Sequence, residues 1–327
     1  MLLPKFEFHE PGSVGEACEI LATYGAKAKL IAGGTDLMVN MKKKIVAPQH
    51  LVCLSKIASM HGIEAKDSRI VIGGRYTVAE LTVDKLVEEK LGALRAGARA
   101  LGSPLVRNRA TIGGNIGSAR PAADLPPSLI AYGATVLLES SRGSREVPLG
   151  KFFKGPGFTD LDLSEVLTEV RVPLPRSGEG AGYMNLGVRK AQDCNVVNVA
   201  SFIALNDKDG RIEKARIVMG SVGPIPLRAP SAEAVLVGEK PGESLFLKAG
   251  EAARQDCTPI DDFRGAANYR KAMVGVLTQR TLDIAHRQAL QGSSRRHLSA
   301  AWSKPPTAFR QHTEYEKIEG DSNEKAD

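Results

Sequence analysis

Apolar residues in the first sixty positions fall alternately at helical and at strand spacing. The stretch "SVGEACEILATYG" has a serine cap, apolar residues at helical intervals and a closing glycine, so it predicts an amphipathic helix. "AKLIAGG" predicts a short buried strand that ends in a glycine turn, and "TDLMVNMKKK" predicts a helix that begins at its threonine or aspartate. "HLVCLS" predicts a second buried strand. Two strands joined through a helix by short links predict a small parallel unit.

The pattern changes after about residue 63 and predicts a second α+β part. "IEAKDSRIVIGGRYTVAELTV" predicts a pair of strands followed by a helix that begins at Thr77, and "LGALRAGARALGS" predicts a helix of small residues. "DLPPSLIAYGATVLLES" predicts a proline-started helix and then a strand. "EVLTEVRVPLP" predicts a strand that ends in prolines, and the "RSGEG" that follows predicts a domain boundary.

The remaining sequence predicts a further domain. "AGYMNLGVRKAQDCNVVNVASFIALN" predicts a strand and a mixed segment, and "RIEKARIVMGSVG" predicts a strand after a turn. "NYRKAMVGVLTQRTLDIAHRQAL" predicts a long amphipathic helix. Beyond Gln291 the periodicity is lost and the composition becomes polar, which predicts a disordered tail over 291–327.

Composition places the chain among soluble globular proteins. Its 327 residues are enough for two or three domains, and 43% of them are hydrophobic. The longest apolar run, "VVNVASFIAL", is interrupted by Asn198 and is too short to cross a bilayer. The beginning, "MLLPKFEFHEPGS", lacks the pattern of a secretory signal. We therefore expect a cytoplasmic protein without membrane insertion.

Cysteine spacing and charge exclude several kinds of site. The four cysteines stand far apart without a CxxC pair, so neither a zinc site nor an iron–sulfur site is expected. The net charge of +7 comes from scattered residues, and its tightest cluster, Lys42 to Lys44, ends a predicted helix, where lysine favours the helix dipole. Nucleic-acid binding is therefore not favoured. No acid–base pair or nucleophile triad is visible, so no catalytic residue is predicted.

Two glycine stretches, "IAGGTDL" and "TIGGN", are the candidates for ligand chemistry. Neither is a dinucleotide GxGxxG turn, and neither carries the lysine of a triphosphate loop. The first could present the N–H groups of Gly33, Gly34 and Thr35 to an anion at the start of a helix, and the second could supply Thr111 and Asn115 as neutral hydrogen-bond donors. Spacing alone also allows two tight structural turns without a ligand.

Four stretches together carry a resemblance to a known family. They are "LIAGGTDLMVNMKKK", "GSPLVRNRATIGGNIGSARPAADLPPSLIAYGATVLLES", "VLTEVRVPLP" and "RKAQDCNVVNVASFIAL". In this order, over about Pro4 to Ala289, the chain resembles the FAD-binding, medium subunit of the molybdenum hydroxylases, the family of carbon monoxide dehydrogenase and xanthine dehydrogenase.

The resemblance implies an α+β fold with two domains. The first is a vanillyl-alcohol-oxidase-like, PCMH-type FAD-binding domain over 1–176, with subdomains at about 1–58 and 59–176. The second, over 180–289, is a smaller α+β domain of the carbon monoxide dehydrogenase flavoprotein C-terminal type, with a three-stranded antiparallel sheet and helices.

The resemblance also implies an FAD site. Two glycine loops would hold the pyrophosphate, formed by Ile31, Ala32, Gly33, Gly34, Thr35, Asp36 and Leu37 and by Thr111, Gly113, Gly114 and Asn115. Asp124 matches a family aspartate near the ribityl and ring side of the flavin, while its position before "LPPSLIAYG" also predicts a helix N-cap. Leu167 matches an apolar residue beside the flavin, although by sequence alone it is a strand core residue.

Asp193 and Cys194 match the family segment that runs beside the isoalloxazine ring. Cys194 departs from the family, where isoleucine, tyrosine or phenylalanine often follows the aspartate, and a small polarisable thiol would leave more room over the ring. Asn185 stands where some relatives carry a lysine. The loss of that positive charge would lower the flavin potential.

The function implied by the resemblance is electron transfer within a complex. The FAD would take electrons from a two-iron two-sulfur small subunit and pass them to an external acceptor, while a molybdopterin-containing large subunit oxidises the substrate. The assembly would be a dimer of heterotrimers. Two other functions stay open, a self-sufficient flavin oxidoreductase of the same fold and a flavin-free assembly subunit.

Overall fold

The structure is a computed structural model that describes residues 3–189 and 192–294, with side chains up to residue 291. The tail expected to be disordered, 291–327, lies outside the described residues except for 291–294. Those four residues continue the last helix to Ser294, so the expected tail began too early. Within the described ranges, none of the helices combines the length and the apolar character needed to span a bilayer.

The N-terminal part is a three-stranded parallel sheet with helices in its connections. Strand order is β1-β3-β2, and the predicted parallel unit of two strands and a helix is confirmed. Strand β1, with two exposed residues among three, was not predicted. The elements are β1 (Glu7–His9), α1 (Val14–Tyr24), β2 (Ala28–Ile31), α2 (Leu37–Lys42) and β3 (His50–Cys53).

Local chemistry explains the bounds of α1. The Ser13 hydroxyl accepts the N–H of Glu16 at the first turn, and Gly25 stands directly after the last residue with a φ of 52°. Both are the cap signals that the sequence pattern indicated. Two short 3₁₀ turns, Leu54–Lys56 and Ala58–Met60, then lead from β3 to the next sheet.

The middle part is a five-stranded antiparallel sheet, in the order β4-β5-β10-β6-β7, with helices packed against it. The predicted strand pair and the helix starting at Thr77 are confirmed, and Thr77 forms a capping box with Glu80. The elements are β4 (Ile63–Lys66), β5 (Arg69–Gly73), α3 (Val78–Val83), α4 (Lys85–Lys90), α5 (Gly92–Ala100), α6 (Pro104–Arg107), α7 (Ile112–Gly117), α8 (Leu125–Tyr132), β6 (Thr135–Ser140), β7 (Gly143–Pro148), α9 (Leu149–Phe152), β8 (Phe153–Gly155), β9 (Phe158–Thr159) and β10 (Val166–Pro173).

The C-terminal part is an antiparallel sheet in the order β11-β12-β13-β14. It contains the three expected strands and a fourth of only two residues, and the predicted long helix is confirmed as α12. The elements are β11 (Glu179–Leu186), β12 (Val197–Leu205), β13 (Ile212–Gly220), β14 (Leu227–Arg228), α10 (Pro230–Leu236), α11 (Glu243–Ala253) and α12 (Ala267–Ser294).

The two faces of this last sheet pack against different helices. One face meets α12, where the hydroxyls of Ser201 and Thr281 lie 2.7 Å apart. The other face places Tyr183 and Phe202 in the same apolar core as the buried residues of α5 and α8. The core of the middle part therefore continues into the C-terminal sheet, and α8 lies between them.

Candidate functional site

The loop between β2 and α2 lies in backbone contact with the segment that precedes α7. A Cβ atom at Gly33 would be 1.8 Å from the carbonyl oxygen of Arg109, so only glycine allows this approach. Gly34 has a φ of 72°, in the left-handed region that glycine adopts without strain. The two glycine stretches, 80 positions apart, are thus brought together.

The first of these loops presents unused backbone donors. In the part of the chain that the structure describes, the N–H groups of Gly33, Gly34, Thr35 and Asp36 donate to no protein acceptor. The next helical bond belongs to Met38, whose N–H donates to the Gly34 carbonyl at 3.0 Å. Successive free N–H groups in a glycine loop form a concave site for an anion.

The second stretch is the first turn of α7, so its interpretation as a tight turn is wrong. The Thr111 hydroxyl oxygen caps the helix by accepting the Gly114 N–H at 3.0 Å. The N–H of Ile112 donates to Tyr76, and that of Gly113 donates to the Gly74 carbonyl. These backbone donors are therefore used by the protein itself.

Asn115 keeps an unused polar atom in this helix. Its Oδ1 is buried and has no hydrogen-bond partner among the described residues. A buried polar atom without a partner costs about 1–3 kcal/mol unless something else satisfies it.

Near the end of α7, Arg120 pairs with Asp36 at 3.4 Å and donates to Asn40 Oδ1 at 3.2 Å, which links this region to the first loop.

A small cavity lies where the two stretches meet. Its volume is about 130 Å³, and it carries two arginines and several hydroxyl and amide groups. This volume is below the range of about 300–1,000 Å³ that whole ligands of drug size need, so it suits one anionic group of a larger ligand. The lining residues are Ala32, Gly33, Ser55, Arg75, Thr77, Asn108, Arg109 and Thr111.

Asp124 is buried in a network with the C-terminal sheet. It stands at the N-cap position of α8 but makes no side-chain cap bond, so the predicted cap is wrong. Its backbone has helical dihedrals, whereas a capping residue is normally extended. Its Oδ1 accepts hydrogen bonds from Asn195 Nδ2 at 2.7 Å and from the Tyr183 hydroxyl at 3.1 Å. Burial raises the pKa of Asp124 to about 6, although these two hydrogen bonds oppose the shift.

Asparagines extend this network and were missed by sequence reasoning. Asn198 Nδ2 donates to the Ala123 carbonyl and to the Tyr183 hydroxyl, and Asn195 Nδ2 also reaches the Ala122 carbonyl. The visible signal was two asparagines three positions apart inside the apolar run "NVVNV", since buried amides need partners.

Asn185 also joins the network, because its Nδ2 donates to Asn195 Oδ1 at 2.8 Å. Asn185 is therefore one hydrogen bond away from a partner of Asp124. Its effect on a flavin potential stays a prediction.

Asp193 shapes the loop before β12. Its carboxylate accepts the N–H groups of Val188, Arg189 and Cys194 at 2.5–2.9 Å, while the Cys194 side chain is exposed. Gln192 ties this loop to the turn after α5 by donating its N–H to Gly102.

Leu167 is buried in β10, beside Gly74, whose carbonyl group binds the first turn of α7. A Cβ atom at Gly74 would be 2.6 Å from the Leu167 carbonyl oxygen, and Gly74 accepts the N–H of Gly113.

The predicted site residues thus form two hydrogen-bonded or contacting groups. One group contains the two glycine stretches, and Leu167 is connected to the second stretch through Gly74. The predicted residues of these two stretches are Ile31, Ala32, Gly33, Gly34, Thr35, Asp36, Leu37, Thr111, Gly113, Gly114 and Asn115. The other joins Asp124 to the loop that carries Asp193 and Cys194, through Asn195.

Replacing Asp124 by asparagine is expected to remove a pH dependence of stability. Because the folded-state pKa is raised to about 6, the stabilisation from the Asp124 proton is complete below the unfolded pKa and is lost as the pH rises through about 6. Asparagine keeps the Oδ1 that accepts both hydrogen bonds but carries no charge. Relative to Asp124→Asn, the wild-type free energy of unfolding should therefore fall by about 2 kcal/mol between about pH 4 and pH 7.

Urea unfolding of both ligand-free proteins at the two pH values measures this difference, and any fixed cost of the amide group cancels. If the unfolding free energies of wild type and Asp124→Asn differed by the same amount at both pH values, the Asp124 carboxyl group would have an ordinary pKa.

Comparison with known proteins gives two family matches. The family described as "FAD binding domain in molybdopterin dehydrogenase" matches residues 4–175, and "CO dehydrogenase flavoprotein C-terminal domain" matches residues 183–285. The first match alone spans more than half of the chain.

Two relatives are similar in sequence to this chain over nearly their whole length. The carbon monoxide dehydrogenase medium chain of Hydrogenophaga pseudoflava is 36% identical over 285 residues, which are 87% of this chain and 98% of the relative. The xanthine dehydrogenase FAD-binding subunit of Escherichia coli O157:H7 is 28% identical over 280 residues, or 85% of this chain and 95% of the relative.

Solved structures have the same fold. Carbon monoxide dehydrogenase from Hydrogenophaga pseudoflava, in a form that lacks the Mo-pyranopterin moiety of the molybdenum cofactor, matches with a TM-score of 0.84 at 36% identity and covers 88% of this chain and 99% of that chain. Quinoline 2-oxidoreductase from Pseudomonas putida 86 matches with a TM-score of 0.82 at 30% identity, over 89% of this chain and 100% of that chain.

Proposed function

This chain belongs to the FAD-binding medium subunits of the molybdenum hydroxylases, and we propose that its two glycine stretches hold the pyrophosphate of FAD. It is a flavoprotein subunit of an oxidoreductase complex of the xanthine and carbon monoxide dehydrogenase type, and FAD is its cofactor. The proposed domain division is 1–176 for FAD binding, with subdomains at about 1–58 and 59–176, and 180–289 for the C-terminal domain.

The observation that carries the proposed site is the row of unused N–H groups from Gly33 to Asp36. These backbone donors would supply the hydrogen bonds to a pyrophosphate, so a lysine is not needed. Arg75 and Arg109 line the adjacent cavity and add positive charge. The buried Asn115 Oδ1, which lacks a protein partner, fits a polar group of the same ligand.

Asp124 fits the ribityl side of the cofactor in this proposal. Its Oδ1 accepts both protein hydrogen bonds, which leaves Oδ2 to accept a hydrogen bond from a ligand hydroxyl. Leu167, Asp193 and Cys194 would lie towards the flavin ring. The Cys194 thiol is exposed and small, so it would leave more room for a ring than an aromatic side chain would.

Electron transfer follows from the cofactor and from the rest of the complex. FAD, when bound, exchanges electrons singly and in pairs, and the protein supplies binding and orientation. We propose that the electrons come from a two-iron two-sulfur subunit and leave to an external acceptor, and that a molybdopterin-containing large subunit oxidises the substrate, in a dimer of heterotrimers. The near-complete coverage of relatives that are themselves named medium chains supports this place in a complex.

Gly114→Leu is expected to lower the FAD content of the purified chain at least tenfold. Gly114 is exposed on α7, and a Cβ there would stand 2.9 Å from the Thr111 hydroxyl oxygen that caps the helix. A leucine side chain would therefore displace this hydroxyl and add bulk beside the second glycine stretch. FAD is quantified by its visible absorbance after the protein is denatured.

The matched control is Gly15→Leu. Gly15 is also an exposed glycine in the first turn of a helix, near a capping hydroxyl at 3.9 Å, but it lies in α1. This variant should keep its FAD. A yellow Gly114→Leu protein with full FAD content would mean that the cofactor binds elsewhere.

The same proteins test the place in a complex. Tagged wild-type chain purified from its native host should bring molybdenum and iron with it, on one large and one small chain. The Gly114→Leu chain should bring the same partners without flavin. A wild-type complex without FAD would favour an assembly subunit, and a wild-type chain active without partners would favour a self-sufficient oxidoreductase.

A further inference from the structure

Two histidines and a glutamate meet on one face of the N-terminal sheet. Glu7 and His9 are two positions apart on β1, so their side chains point to the same face. His50 begins β3 and is paired in register with Glu7 in the parallel ladder. Within residues 3–189 and 192–294, this is the one set of three such side chains whose ligand atoms all lie within 4.8 Å of one another.

We propose that Glu7, His9 and His50 form a binding site for a divalent transition-metal ion, with Zn²⁺ as the ion that fits best. Imidazole nitrogen and carboxylate oxygen are ligands that Zn²⁺ accepts together, and three protein ligands leave a fourth position for water. The proposal does not depend on the FAD site.

The distances between the three ligand atoms suit a tetrahedral ion. With metal–ligand bonds of about 2.0–2.1 Å, two ligands of a tetrahedron are about 3.3–3.4 Å apart. His9 Nε2 lies 3.2 Å from His50 Nδ1, and Glu7 Oε2 lies 3.2 Å from the same His50 nitrogen. Glu7 Oε2 is 3.9 Å from His9 Nε2, and the exposed glutamate can shorten this distance by a small rotation.

Hydrogen bonding alone satisfies these contacts poorly. A ring nitrogen carries either one in-plane hydrogen or one lone pair, yet His50 Nδ1 is equally close to a nitrogen and to a carboxylate oxygen. A cation at the common centre accepts a lone pair from each of the three atoms at once. The contacts are therefore better explained by a shared ion than by a chain of hydrogen bonds.

The surroundings hold the rings and leave solvent access. Tyr24, the last residue of α1, stacks on the His50 ring with centroids 3.6 Å apart and planes 18° apart. His50 is buried while the Glu7 side chain is 70% exposed, so the open coordination position would face water. An ion there would fasten the three-residue strand β1 to β3.

Metal titration of the chelator-treated, FAD-loaded full chain tests the proposal. Calorimetry with Zn²⁺ should give one equivalent per chain, and Co²⁺ should give the visible d–d absorption of a tetrahedral site with nitrogen and oxygen ligands. His9→Asn and His50→Asn should each weaken binding at least tenfold. Glu7→Gln, a change at an exposed position that preserves the fold, should also weaken it.

The control variant is His61→Asn, which alters a half-exposed histidine that contacts Glu80 outside the cluster. It should bind Zn²⁺ as the wild type does. The proposal is overturned if the wild type shows no one-to-one binding, or if Glu7→Gln and both histidine variants bind as tightly as the wild type.

Discussion

Replacing Gly33 by alanine is expected to destabilise the chain by about 3 kcal/mol and to abolish its retention of FAD. The added Cβ would lie 1.8 Å from the carbonyl oxygen and 2.5 Å from the carbonyl carbon of Arg109. These are backbone atoms, which cannot rotate away as a side chain can, so the two glycine stretches must separate. Overpacking that shifts the backbone costs about 1–3 kcal/mol, and this clash falls at the upper end.

Urea unfolding of the FAD-free chain, together with FAD content, measures both effects of Gly33→Ala. The control is Gly15→Ala, an exposed helical position where the nearest heavy atom is 3.9 Å away, and alanine there should add about 0.5–1 kcal/mol. Wild-type stability for Gly33→Ala would contradict the close approach of the two stretches.

Gly33→Ala and Gly114→Leu separate two roles of glycine in the site. Gly33 is required because another backbone occupies the space of its side chain, whereas a Cβ at Gly114 would meet the side-chain hydroxyl of Thr111, at 2.9 Å. The first variant should therefore lose both stability and FAD. The second should lose FAD while its unfolding free energy in the absence of the cofactor falls by at most about 2 kcal/mol, the cost of a lost helix cap.

The elements that sequence could predict are those that depend on local signals. Helix α1 has a serine cap and a closing glycine, and β13 is an apolar strand that follows a turn, so both follow from residues close in the chain. Strand β1 has only three residues and exists through its pairing with β3, and β14 is likewise fixed by β13. Pairing with a distant strand leaves no periodicity in so short a segment.

Helix α7 shows how tertiary contacts override propensity. Two adjacent glycines are unfavourable inside a helix and favour a turn. Here the N–H of Gly113 donates to Gly74 and the Thr111 hydroxyl caps the first turn. The distant strand end thus stabilises a helix that the sequence alone does not indicate.

The candidate site likewise contains residues that the sequence could predict and residues that it could not. The two glycine stretches could be identified from sequence, because each is a local motif and their order resembles the family. The partners of Asp124 could not, since Tyr183 and Asn195 lie 59 and 71 positions away. The proposed metal cluster was missed for the same reason, because His9 and His50 are 41 positions apart and metal ligands were sought among the cysteines.

Arg270→Met is expected to destabilise the C-terminal part by about 3–5 kcal/mol. Arg270 is a completely buried side chain of α12 that donates hydrogen bonds to the carbonyl oxygens of Val196, Ser221 and Ile260. Methionine has a similar length but no donor, so the carbonyl groups of the buried residues Val196 and Ser221 would lose their partner. Breaking a buried charged network costs about this much because the remaining groups stay desolvated.

The loss of the Arg270 hydrogen bonds should also disturb the candidate site, because Val196 directly follows Asn195, whose amide binds Asp124. We expect Arg270→Met to weaken FAD retention as well as to lower the urea midpoint. Arg254→Met is the control, since Arg254 forms an exposed pair with Glu251 whose removal should cost at most about 1 kcal/mol. If the two variants unfolded at the same urea concentration, Arg270 would not hold the loop before β12 to α12, and the support of Asn195 would have to come from Asp193 and the asparagine network alone.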